Sequence, residues 1–184
     1  GGAPSAGETC PTALPLTFTG STASVSGTTS TATRDVTVST CLSGPDRVYA
    51  FSTTSAKQLT LTLNANYPAG LAVFSILGGA CVGEQSCDSN ATTTTTINTL
   101  IPSGEWAVVV AGLMSASSGS YTLTATLADP PVNMLSNGAS VAVSGVAGSS
   151  RIYTVPLPSN VASVNIDMSG GTGDADLYLS QGTQ

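Results

Sequence analysis

Apolar residues in this chain recur at every second position, and no segment shows the i, i+3, i+4, i+7 spacing of an amphipathic helix. Leu59, Leu61 and Leu63 alternate with Thr60 and Thr62. Tyr121, Leu123, Ala125 and Leu127 alternate with Thr122, Thr124 and Thr126, and Val164, Ile166 and Met168 with Asn165 and Asp167. Trp106, Val108 and Val110 alternate with Ala107, Val109 and Ala111, and the run from Ala107 to Met114 reads as a buried strand. Turn signals interrupt these runs at Ser43-Gly44-Pro45-Asp46, Tyr67-Pro68-Ala69-Gly70, Gly78-Gly79, Pro102-Ser103-Gly104 and Ser117-Ser118-Gly119. Short alternating strands with frequent turns predict an all-β fold, an antiparallel β-sandwich or jelly roll. A β-branched Thr on the wet face supports a strand without charge, which accounts for much of the 27 Thr and 26 Ser among 184 residues.

The same composition removes whole classes of activity. There is no His, so Ser-His-Asp and Cys-His triads, His-ligated zinc and imidazole acid–base chemistry are out of reach. Four scattered basic residues against ten acids give a net charge of −6, which leaves no patch to neutralise phosphates, so nucleic acid is not an expected partner. No apolar run approaches the about 18 residues of a membrane-spanning helix. With 41% hydrophobic residues the chain is not of disordered composition. No basic-then-apolar leader opens it, and Gly1-Gly2-Ala3-Pro4 reads as a mature or engineered terminus.

Cys10, Cys41, Cys81 and Cys87 form an even set without C-x-x-C spacing, which favours disulfides over zinc or redox chemistry and so an exported, extracellular protein. Four cysteines allow three pairings. Proximity favours Cys81–Cys87, closing a loop that contains Gly83, and leaves Cys10–Cys41; four buried free thiols are the alternative to any pairing.

Asp129-Pro130-Pro131 marks a boundary, because prolines cannot donate to a ladder. One sandwich is expected over residues 8–128, a linker over 129–131 and a second segment over 132–184. The segments repeat each other. Arg47-Val48-Tyr49-Ala50-Phe51 matches Arg151-Ile152-Tyr153-Thr154-Val155, and Leu71-Ala72-Val73 matches Leu177-Tyr178-Leu179. The second copy is therefore expected to be half-length, with no counterpart of Ser75 to Ala128, and half a sandwich leaves an inner face and an edge uncovered.

Gly170-Gly171-Thr172-Gly173-Asp174-Ala175-Asp176-Leu177-Tyr178, with Ser144-Gly145, Arg151-Ile152-Tyr153 and Val155-Pro156 leading in, closely resembles the bacterial pre-peptidase C-terminal domain. The match covers the first half of such a domain. Residues 8–128 resemble, more loosely, related Cys-containing modules of secreted myxobacterial-type proteins, through Cys10, Cys41 before Gly44-Pro45-Asp46-Arg47-Val48-Tyr49, Cys81 and Cys87-Asp88, and Pro102-Ser103-Gly104-Glu105-Trp106. That resemblance favours the pairs Cys10–Cys41 and Cys81–Cys87. It also implies a non-catalytic appendage of an exported hydrolase or other extracellular protein, some relatives binding the insoluble substrate of the parent enzyme. The partners implied are a parent hydrolase domain, or an insoluble polymer or surface. No enzyme domain is visible in this chain. The alternative is a structural subunit of an extracellular filament or surface layer, in which neighbouring copies complete the half-length module by strand addition.

Candidate sites are few. Asp174 and Asp176, a D-x-D in a Gly-rich turn, offer hard oxygen ligands of the kind calcium takes. The plainer reading, carboxylates that accept backbone N–H bonds and shape the turn, is preferred, because a calcium shell needs more acids than lie nearby. Asp46 and Asp88 carry no spacing argument for calcium, and no other cofactor is implied. Paired-carboxylate hydrolysis lacks a recognisable pair. Trp106 and Tyr121 fall in phase with core residues, so Tyr67, in a turn, is the candidate for an exposed binding ring. Asn90-Ala91-Thr92 is a formal sequon, and the run Thr92, Thr93, Thr94, Thr95, Thr96 is either a glycosylated loop or a plain Thr-rich strand.

Overall fold

The computed structural model describes residues 5–39, 41–89, 93–130, 133–145 and 151–179. Nine strands follow a short 3-10 turn at Cys10–Thr12: β1 (Leu14–Pro15), β2 (Thr22–Thr28), β3 (Asp46–Thr53), β4 (Lys57–Ala65), β5 (Ala69–Leu77), β6 (Ala80–Asp88), β7 (Thr94–Ile101), β8 (Gly104–Gly112) and β9 (Ser120–Ala128). They form a five-stranded sheet in the order β1-β3-β8-β5-β6 and a four-stranded sheet in the order β2-β9-β4-β7. All ladders are antiparallel except β1 with β3. The fold is all-β, two sheets packed as a sandwich.

Period-two alternation builds the interior. Leu59, Leu61 and Leu63 from β4 and Leu123 and Ala125 from β9 meet Leu71, Val73, Val108 and Val110 from the facing sheet, all essentially inaccessible. The hairpin β5–β6 turns on Gly78 (φ +60°) and Gly79 (φ +82°), consecutive positive φ values that glycine adopts without steric cost.

The five-stranded sheet is buried on its outer face too. Val48, Ala72, Phe74, Ala107 and Val109 point away from the interior and pack under residues 5–13, 29–39 and 41–45, which contribute Val36 and Leu42. Two disulfides fasten this strap to the edge strand β6: Cys10–Cys81 (Cα–Cα 5.6 Å) and Cys41–Cys87 (Cα–Cα 6.3 Å). This corrects the pairing of near neighbours. Cys81 and Cys87 both lie in β6, where six extended residues hold their Cα atoms roughly 20 Å apart. Each therefore reaches a different part of the strap.

The residues after Ala128 behave differently from the sandwich. Among the described residues none after Ala128 belongs to a named strand, although Met134 bridges Thr154 and the alternation at Val164, Ile166 and Met168 is intact. Val164 (45% exposed), Met168 (54%) and Leu177 (47%) face solvent instead. In the sandwich β3 pairs with β1 and β8, β4 with β7 and β9, and β5 with β6 and β8, so these three strands never pair with one another.

Candidate functional site

The four-stranded sheet has one face in the core and one in water, and register turns the wet face into an array. Ser24 stands opposite Thr124, Thr124 opposite Thr62, and Thr62 opposite Thr96, one row across all four strands. Thr22, Thr126, Thr60 and Asn98 form the row on one side, and Ser26, Thr122, Asn64 and Thr94 the row on the other. Strand geometry sets these side chains about 4.8 Å apart across strands and about 6.7 Å apart along them. The edge positions on β2 and β7 are exposed, as is Asn64 on β4, and the remaining central ones on β9 and β4 are half-buried by their neighbours.

Hydrogen bonds tie the outer rows to themselves. Ser26 Oγ and Thr122 Oγ1 are 3.2 Å apart, Thr94 donates to Asn64 Oδ1 at 3.0 Å, and Asn98 Oδ1 accepts from Gln58 and Thr60. Among the described residues, the hydroxyls of Thr62, Thr96 and Thr124 in the central row have no protein partner. Lys57, the first residue of β4, is the sole charged residue of the chain within the four strands.

A second polar cluster lies under the strap. Asp46 is 1% exposed at the start of β3; its Oδ2 accepts the N–H groups of Asp35 and Val36, each at 3.0 Å, while its Oδ1 is buried without a partner. Burial pushes the Asp46 carboxyl up to about 6, with Asp35 and Glu8 adding to the push and the two backbone N–H groups opposing it. Glu8 pairs with Arg47 at 3.1 Å, and the single Thr33 hydroxyl proton lies within reach of both the Glu8 and Asp35 carboxylates. No three metal-ligating side chains gather among the described residues.

At the other end of the core Tyr49 and Tyr121 share a hydroxyl–hydroxyl bond of 2.8 Å, and burial, reinforced by that bond, raises the Tyr121 phenol far above its ordinary range. Gly27 makes room for the pair: a Cβ there would stand 2.5 Å from the Tyr121 hydroxyl and 3.0 Å from that of Tyr49. Gly27→Ala is therefore expected to cost about 1–3 kcal/mol through displacement of the two rings, measured by urea unfolding. An unchanged midpoint would show that the rings yield freely.

The sequence-derived sites fare unequally. Tyr67 is 6% exposed rather than open, because its turn folds over the core end against Gly119; its hydroxyl lies beside Thr29 without a well-formed hydrogen bond, and burial raises its titration. Tyr178, in contrast, is 85% exposed. Trp106 is buried in the core, and its Nε1 donates to the Pro102 carbonyl at 3.1 Å. Asp174 and Asp176 are exposed. Thr95 is no glycan acceptor in this fold: it is 2% exposed and donates to the Ala69 carbonyl at 3.1 Å, because its parity in β7 points it inward. Thr93, Thr94 and Thr96 are exposed, and Asn90 and Thr92 lie outside the described residues. The signal for the array, Thr-x-Thr on β4, β7 and β9, was present in the sequence; the register that joins the strands was not.

No family model matches the chain, and no curated protein matches it. Among solved structures it is similar to the pre-peptidase C-terminal domain of collagenase from Bacillus anthracis, at 12% identity and TM-score 0.45, covering 68% of this chain and 99% of that one. It is also similar to PliG of Aeromonas hydrophila, a periplasmic inhibitor of g-type lysozyme (16% identity, TM-score 0.43, covering 63% and 96%). A third likeness is to the Yersinia pseudotuberculosis-derived mitogen (19% identity, TM-score 0.39, covering 60% and 88%).

Proposed function

We propose that the chain is a non-catalytic, exported binding module that holds a parent protein to an insoluble polymer or surface through the open face of its four-stranded sheet. The observation that carries this reading is that face: a registered array of hydroxyls and amides, free of charge except for Lys57 at one strand end. The two disulfides fit an oxidising compartment. The acids do not assemble a reaction centre; Asp46, the one with a strongly raised titration, is sealed under the strap, where it fastens backbone.

Residues 132–184 are read as the beginning of a second module, in which copies of β3–β5 need strands of the β6–β9 kind.

The test is depletion from solution by a panel of insoluble polysaccharides and fibrous proteins, with native mass by light scattering on the same sample. A monomer near the 18.1 kDa chain mass that is removed by at least one polymer is the expected outcome. A protein that stays in solution with every polymer sinks the binding role, and a regular polymer of the chain itself favours assembly.

A further inference from the structure

The binding role leaves the polymer open, and the chemistry of the array narrows it. We propose that the open face takes a neutral polysaccharide, with the row Ser24–Thr124–Thr62–Thr96 at its centre; this rests on the binding role proposed above.

Charge selects the class. The protein carries a net charge of −6, yet its acids all lie off the four strands, so the face neither repels anions strongly nor offers counter-charges to an ionic polymer. A Thr hydroxyl and an Asn amide both donate and accept, as sugar hydroxyls do, so each contact can form in either sense. The central row supplies the free groups, since Thr62, Thr96 and Thr124 are not committed to protein partners. Threonine is also stiff at χ1, so these hydroxyls lose little freedom on contact.

Shape then separates two uncharged ligands. A four-stranded sheet twists by about 20–25° from strand to strand. A planar crystal lattice such as ice registers with two adjacent strands and diverges from the others, whereas a polysaccharide chain follows the twist along one row. Aromatic stacking is not the device here: no Trp, Tyr or Phe belongs to the array, and the one aromatic residue of the four strands, Tyr121, points into the core.

The experiment uses the full chain and two probes, microcrystalline cellulose and chitin powder, in sedimentation assays at moderate salt. Wild type is expected to be depleted by at least one of them. Thr62→Val/Thr124→Val keeps the β-branched shape and removes two hydroxyls, and its apparent affinity is expected to fall roughly tenfold with the melting temperature unchanged. Thr96→Lys, on an exposed edge strand, is a second variant expected to weaken binding should the pair fold poorly. Equal binding by the variants and wild type overturns the face, here and in the proposed role, while leaving a polymer-binding module. Binding to a fibrous protein but to neither glycan overturns the ligand class, as does slowed ice growth without glycan binding. No depletion by any polymer removes both this inference and the role beneath it.

Discussion

Replacing Cys41 and Cys87 together by serine is expected to lower the unfolding free energy by about 4 kcal/mol, the chain-entropy value for a loop of this size. The bridge closes 46 residues of separation, and Cys10–Cys81, which closes 71, is expected to contribute a similar amount. Loss of either should also loosen the strap locally, uncovering Phe74 and Val109 on the outer face of the five-stranded sheet. Dye binding to exposed apolar surface is therefore expected to rise before global unfolding in the Cys41→Ser/Cys87→Ser variant. A tryptic digest separates the two long-range pairings from that of near neighbours, because trypsin cleaves after Arg34, Arg47, Lys57 and Arg151. The pairs described here join the peptides 1–34, 35–47 and 58–151 into one non-reduced species. Cys10–Cys41 with Cys81–Cys87 would leave 58–151 separate, and that product would overturn the strap arrangement.

These bridges show where a single sequence stops being informative. Alternation named the inward side chains of β4 and β9, because period two is a local property that a strand imposes on its own residues. Leu61 and Leu123 were legible for that reason. Closeness in sequence, however, is separation in space along a strand: Cys81 and Cys87 share β6 and lie far apart, while Cys10 and Cys81 meet across 71 residues. Tyr67 failed for a related reason. A turn reads as exposed, yet this one caps the end of the sandwich and closes its ring over the core. Thr95 failed by parity, one residue inward within a run of identical residues. The array on the open face was half legible: each strand announced its own Thr-x-Thr, but the order β2-β9-β4-β7 that lines them up depends on pairings up to 104 residues apart.

Asp46→Asn is expected to abolish a pH dependence of stability that wild type shows between about pH 4 and pH 6. The folded-state carboxyl sits at about 6 against an ordinary 3.8, because burial disfavours the ionised form. A carboxyl raised on folding stabilises the fold while both states are protonated, below about pH 4, and that stabilisation is lost as pH rises through the folded value. A shift of about two units corresponds to about 3 kcal/mol over that interval. The strap is the part that feels it, since the Asp46 carboxylate is what fixes the N–H groups of Asp35 and Val36, and Glu8 and Asp35 crowd it with like charge. Asparagine keeps an oxygen to accept both N–H bonds and carries no charge at any pH. The variant should therefore match wild type near pH 4 and exceed it at pH 8 by up to about 3 kcal/mol. Urea unfolding of both proteins at half-unit steps gives the difference curve, from which titrations common to the two cancel. A difference that is flat across the interval, or that favours wild type as pH rises, would mean that the buried oxygen of Asp46 has a counter-charge at neutral pH. The strap would then be held by an ion pair or a bound cation rather than by two backbone hydrogen bonds.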